Sequence, residues 1–185
     1  MATVLVPLAA GYEEVEAVSI IDILRRADIR VLIAGVDSKE NVVGAHNITI
    51  KTDCLINDVK EQDIDMIALP GGWGGAKILA ENISVQNLLQ QMNGKNKNIG
   101  AICAAPFALD KAGVLKSSFT CYPSVEDEIS ADGYVGYEKV VSDQNILTSQ
   151  GPATAICFAL AIIEKLIGKN KRQEIASDVL ADFCD

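Results

Sequence analysis

Short apolar runs alternate with helix-period segments along nearly the whole chain, and that alternation constrains the fold more than any other feature. "ATVLVPL" reads as a first strand, rich in β-branched and aliphatic residues. "EEVEAVSIIDILRRA" follows, with Ala17, Ile20, Ile21 and Leu24 spaced for one helix face. Glu13, Glu14 and Glu16 crowd its start, and Arg25 and Arg26 its end, as a helix dipole favours. "IRVLIAGV", "IDMIALP", "NIGAI" and "NILTS" read as further buried strands, and "NVVGAHNITIKTD" as a short β excursion bent at Gly44. "GGWGG" opens a helical stretch, and a second helix, "VQNLLQQMN", has Ser84 as its expected cap and Gly94 as its expected end. A less regular region follows "NIGAI", with strand-like pieces at "SFTCY", "GYVGY" and "KVVSD". "QGP" leads into the apolar helix "ATAICFALAIIEKLIG", and "KRQEIASDVLADF" predicts a last amphipathic helix. The pattern implies an α/β fold: a doubly wound, mostly parallel sheet sandwiched by helices, flavodoxin-like in arrangement. With 185 residues and no repeats or low-complexity linkers, residues 1–185 are expected to form one domain.

Ligands of such sheets bind beyond the carboxyl ends of the strands. In "NIGAICAAPFALD" a strand passes into a helix with no Gly, Asn or Asp to make the turn, and Cys103 stands at the junction. A bend that sharp holds a nucleophile up at the carboxyl edge, as in the G-x-S-x-G elbow. Here Ala101 and Ala105 supply the small neighbours, and Pro106 is tolerated because a first helical turn needs no amide donors. A thiol at a helix N-terminus is expected to ionise below its ordinary range, with a pKa of roughly 3.5–7.5. The competing reading is a buried structural cysteine at a tight packing point.

The other four cysteines carry no such context. The odd count of five and the absence of C-x-x-C argue against a disulfide scaffold or a zinc ribbon. Cys54, Cys121 and Cys157 lie in apolar segments and read as core residues, and Cys184, next to the C-terminus, as exposed and incidental. One histidine and scattered cysteines make no metal set, and no metal or cofactor is implied.

The net charge of -9 and the pI of about 4.6 argue against a nucleic-acid partner. "MATVLVPLAAGYEE" lacks the basic n-region of a signal peptide, and no apolar run approaches a membrane span, so no membrane partner and a cytoplasmic location are expected.

Glu16 is the better proton-handling partner for Cys103, because it belongs to the helix after the first strand and so lies near the same edge. For Glu13 and Glu14 dipole complementarity on a solvated turn is an adequate reading; for Glu16 it competes with a role beside the thiol. The lone histidine, His46, lies in the β excursion, so a Cys-His-Asp triad is poorly supported. The loop "PGGWGGA" has neither the G-K-[ST] of a phosphate loop nor the dinucleotide fingerprint. Its glycines let backbone amides approach a ligand, and Gly72 N–H with Ala104 N–H forms the expected oxyanion hole.

Taken together, "GYEEVEAV", "ALPGGWGGA", "GAICAAPFAL" and "LTSQGPATAICFALAIIE" resemble the ThiJ/PfpI superfamily in its DJ-one-like branch, in order and over essentially the whole chain. The resemblance implies a flavodoxin-like fold, a reactive cysteine at Cys103, a protonated glutamate at Glu16 and a glycine amide at Gly72. The expected oxyanion and substrate-binding residues are thus Gly72, Ala104, Gly71, Tyr122, Gly151 and Pro152. It also implies a homodimer, with His46 near the interface. The implied activities are a cofactor-independent glyoxalase converting methylglyoxal to lactate, or deglycation of early adducts. The alternative is a redox-sensing, chaperone-like protein in which Cys103 oxidation is the signal, and an intracellular cysteine peptidase ranks last. The chain departs from the pattern at "TCYPS", where Tyr122 stands at the place of a histidine found in many members. Tyrosine is a poor base at neutral pH, which weakens the peptidase reading. Ala153 stands for a common glycine, and Gln150 for an arginine found in some relatives.

Overall fold

A computed structural model describes residues 1–37 and 40–184. The elements follow in the order β1 (Thr3–Leu8), α1 (Glu14–Arg26), β2 (Arg30–Gly35), β3 (Asn41–Val43), β4 (Thr49–Lys51), β5 (Cys54–Leu55) and β6 (Met66–Leu69). They continue with α2 (Trp73–Glu81), α3 (Ile83–Gly94), β7 (Asn98–Ile102), α4 (Pro106–Lys111), β8 (Val140–Asp143), β9 (Ile146–Ser149), α5 (Ala155–Leu166) and α6 (Lys169–Asp178). Seven strands form one sheet in the order β5-β2-β1-β6-β7-β9-β8, parallel throughout except for β8, which runs antiparallel to β9. β3 and β4 make a separate antiparallel hairpin.

Side chains alternate across the sheet, which is why the apolar runs are continuous. In β1, Val4, Val6 and Leu8 face one core with Ile20 and Leu24 of α1 and Phe158 and Ile162 of α5. Leu5 and Ala9 face the other core with Leu79 of α2, Val85 and Leu89 of α3 and Leu109 of α4. Helices therefore cover both faces, and the doubly wound α/β expectation is met.

Several local expectations differ. Asn82, not Ser84, caps α3: Asn82 Oδ1 accepts the amides of Ser84 (3.0 Å) and Val85 (3.1 Å). Asn82 is the single extended residue between α2 and α3, so the second helix starts earlier than its apolar period suggests. Gly94 lies within α3, and the left-handed residue after it is Asn96, with φ 54°. "SFTCY" and "GYVGY" form no strands; they meet in one isolated bridge, Phe119 with Tyr134.

The cysteines bring the largest correction. Cys184 is not an incidental thiol, since it forms a disulfide with Cys157. The C-terminal turn folds back on α5 and brings the two Cα atoms to 5.0 Å across a separation of 27 residues, a proximity that spacing in the sequence does not reveal. Cys54 is half-buried on the edge strand β5, and Cys121 is buried. Among the described residues no helix is long and apolar enough to cross a membrane.

Candidate active site

Cys103 follows β7 directly and adopts φ 62°, in the left-handed region that a side chain rarely occupies. Such strain persists only where neighbours hold it. Cys103 N–H donates to Ser149 O at the end of β9 (2.9 Å), and Tyr122 N–H donates to Cys103 O (2.9 Å). The elbow is thus pinned from two sides. The loop after β6 reaches it because Gly71 has no side chain: a Cβ there would stand 2.6 Å from Cys103 Cβ and 2.8 Å from Glu16 Oε2. Gly72 takes φ 83°, and a Cβ on it would stand 2.4 Å from Gly11 O.

Glu16, in the first turn of α1, is fully buried. Glu16 Oε2 accepts the Gly71 amide at 2.7 Å. Its Oε1 is buried without a well-formed hydrogen bond, and the Cys103 thiol lies near enough to act on the carboxyl as a donor. Burial lifts the Glu16 carboxyl to about 7, against the pull of the Gly71 amide and the thiol. Burial and the Glu16 carboxylate push the Cys103 thiol up, while the amides of Gly72 and Ala104 pull it down. This corrects the expectation of a thiol shifted downward by a helix N-terminus. The helix α4 spans only six residues, and the thiol is buried beside an acid. Two adjacent buried acids do not both ionise readily, so the pair holds one negative charge before it holds two. Oε1, which has no other hydrogen-bond partner, is the oxygen free to exchange a proton with the sulfur.

Cys103 opens onto a cleft of about 520 Å³. Of the expected binding residues, Gly72, Ala104, Tyr122 and Pro152 line it. Gly71 does not: its amide is spent on Glu16 and its carbonyl accepts Glu13 N–H, so it acts as a spacer rather than an oxyanion donor. Gly151 is not a lining residue either; a Cβ on it would stand 3.2 Å from the Tyr122 ring, so its bareness seats that ring. Sequence reasoning missed Trp73, Ser124, Val125 and Glu128 in the wall, and Glu13, read as decoration of a solvated turn, lines it too. Trp73, directly after the glycine pair at a carboxyl edge, carried a usable signal; the irregular segment 124–128 carried none.

Glu14 and His46 belong to a different construction. Glu14 is buried, not solvated, and grips the β3–β4 turn: it accepts His46 N–H (2.6 Å) and Ile48 N–H (3.3 Å), and pairs with His46 Nδ1 (2.9 Å). The exposed His46 ring is shifted upward by that bond and by the Glu13 and Glu14 charges, and it does not itself line the cleft. Glu13, Glu14 and His46 bring one donor atom each within 4.8 Å, the one such group among the described residues with the chemistry to hold a metal. There the His46–Glu14 bond already satisfies ring and carboxylate. Cys121 Sγ lies 3.9 Å from Glu126 Oε2, and burial with that carboxylate pushes its thiol up to about 12.

Comparisons with known proteins place the chain among its relatives. The model of the DJ-1/PfpI family matches residues 2–165. The chain is 41% identical over 181 residues to protein dj-1beta of Drosophila melanogaster, covering 97% of each. It is 38% identical over 164 residues to the glutathione-independent glyoxalase DJR-1.2 of Caenorhabditis elegans, covering 88% of this chain and 87% of the relative. Among solved structures it resembles oxidized DJ-1 of Toxoplasma gondii, with a TM-score of 0.92 and 39% identity over 97% of this chain and 98% of the other. It spans only 41% of the length of Arabidopsis thaliana DJ-1 homolog B, to which it is 36% identical over 96% of its own residues. With the family model matching residues 2–165 and relatives of this identity over nearly the whole length, the chain belongs to the DJ-1/PfpI family.

Proposed function

We propose that this protein is a cysteine-dependent, cofactor-independent glyoxalase-type enzyme acting on small 2-oxoaldehydes such as methylglyoxal or on their early adducts. The observation that carries the reading is the buried Glu16 carboxyl beside the strained Cys103 thiol, with the Gly72 and Ala104 amides directed at the sulfur. The C. elegans relative is named a glutathione-independent glyoxalase, which supports it.

The Cys103 thiolate adds to the aldehyde carbon, forming a C–S bond while the carbonyl electrons move to oxygen. The amides of Gly72 and Ala104, freed from the sulfur's charge, stabilise the oxyanion. Glu16 relays the proton that leaves the aldehyde carbon and is returned to the neighbouring carbon, through an enediol. The aldehyde carbon is oxidised to a thioester and the ketone carbon reduced to an alcohol, so no external oxidant is used. Water cleaves the thioester, releasing the 2-hydroxy acid and the thiol. The test is lactate formation from methylglyoxal without glutathione: wild type turns over, Cys103→Ser does not, and equal rates overturn the reading.

A second reading, redox sensing, is favoured by the same donors. Gly72, Ala104 and a protonated Glu16 suit the oxygens of a sulfinate on Cys103, and the T. gondii relative was solved oxidized. A homodimer also suits the surface. Val15 and Val18 of α1 and Val43 and Ile48 of the hairpin are exposed apolar residues of the kind that two-fold interfaces bury.

A further inference from the structure

The cleft at Cys103 carries fixed side-chain charge of one sign. Glu13, before α1, and Glu128, at the end of the turn Val125–Glu128, both line it, so its carboxylates come from two separate elements. Trp73 and Tyr122 supply two aromatic rings, and among the described residues no Lys, Arg or His lines it. Lys77 lies over the Trp73 ring, 4.8 Å from its centroid, and is not part of the wall. Walls of low dielectric focus a field of one sign into a cleft. In a space of about 520 Å³ a ligand lies within a Debye length of both carboxylates.

We infer that Glu13 and Glu128 set the charge specificity of this site, admitting uncharged and cationic carbonyl compounds and rejecting anionic ones such as 2-oxo acids and phosphorylated aldehydes. For substrates this rests on the proposed glyoxalase reading; for access to Cys103 it does not. Glu128 is the cleaner determinant, because the Glu13 carboxylate also lies 3.8 Å from His46 Nδ1 and acts on Glu16.

The test uses two methanethiosulfonate reagents, one with a quaternary ammonium group and one with a sulfonate. Each transfers its thioalkyl group to the Cys103 thiolate, with methanesulfinate leaving, and peptide mass spectrometry reads the rate at Cys103. The cation-to-anion rate ratio, divided by that of a small free thiol, should exceed one by roughly 10-fold at low salt. Glu128→Gln should reduce it by about 3-fold or more, and Glu128→Lys further. A normalised ratio of one, or a ratio that neither variant moves, overturns the inference. In a second arm, methylglyoxal should be preferred to its anionic phosphorylated analogue, 3-phosphooxy-2-oxopropanal, which keeps the reacting aldehyde and ketone, and Glu128→Lys should narrow that preference. An intact reagent ratio without methylglyoxal turnover sinks the glyoxalase reading alone. Turnover with a normalised ratio of one sinks the charge inference alone.

Discussion

Glu16 and Cys103 share one buried polar site in which Glu16 Oε2 is held by the Gly71 amide at 2.7 Å and the thiol acts on the same carboxyl. Burial pushes this carboxyl up to about 7, and the carboxylate in turn raises the thiol beside it, so the two protons are lost as a coupled pair rather than independently.

Glu16→Gln keeps a donor of similar shape but cannot exchange a proton. Methylglyoxal turnover should fall by roughly 100-fold or more, while Cys103 stays open to alkylation and to oxidation by mild peroxide. The alkylation rate of the wild type should carry a step near pH 7 from Glu16 that the variant lacks. Equal turnover in the two proteins would leave Cys103 without its partner.

The same carboxyl makes stability pH-dependent. The folded protein holds the Glu16 proton up to about pH 7, whereas an ordinary glutamate releases it near 4.5. Folding therefore retains an extra proton across that window, and this contribution, complete below 4.5, is lost as pH rises through 7. Between pH 4.5 and 7.5 wild type should lose on the order of 2–3 kcal/mol relative to Glu16→Gln, measured by urea unfolding at each pH. Parallel curves would show that the carboxyl is not held protonated.

Gly71 is a packing requirement of the elbow. Gly71→Ala drives a Cβ against Cys103 Cβ and Glu16 Oε2, at 2.6 and 2.8 Å from the ideal position. The chain should lose about 1–3 kcal/mol of stability and most of its Cys103 reactivity, read by thermal unfolding and by alkylation. Gly94→Ala, with open space around its Cβ, should leave both nearly unchanged.

Three thiols, Cys54, Cys103 and Cys121, should react in the unreduced, denatured protein, and five after reduction. Cys184→Ser should lower stability by about 2–4 kcal/mol, since it opens a loop of the length closed by Cys157 and Cys184. Five reactive thiols before reduction would show the bond absent.

Val18→Glu places a charge on the exposed apolar face of α1, next to Val15. Light scattering at micromolar concentration should show a dimer for the wild type and a monomer for the variant. A wild-type monomer would sink the interface.

The layered fold was legible because its signals are local. Continuous apolar strands such as Thr3–Leu8, and helix-period faces such as Ala17, Ile20, Ile21 and Leu24, record burial in the order of residues, and burial on both faces requires helices on both faces. Cys103 was legible for the same reason, as a strand running into a helix without turn residues. The partners that only tertiary structure supplied come together across long separations. Glu128 joins Glu13 in one wall through an irregular segment with no periodicity, and Cys184 reaches Cys157 because the C-terminal turn folds back. The upward shift of the thiol depends on how deeply Cys103 and Glu16 are buried together, and that depth is a property of the packed loop at Gly71 rather than of any stretch of sequence.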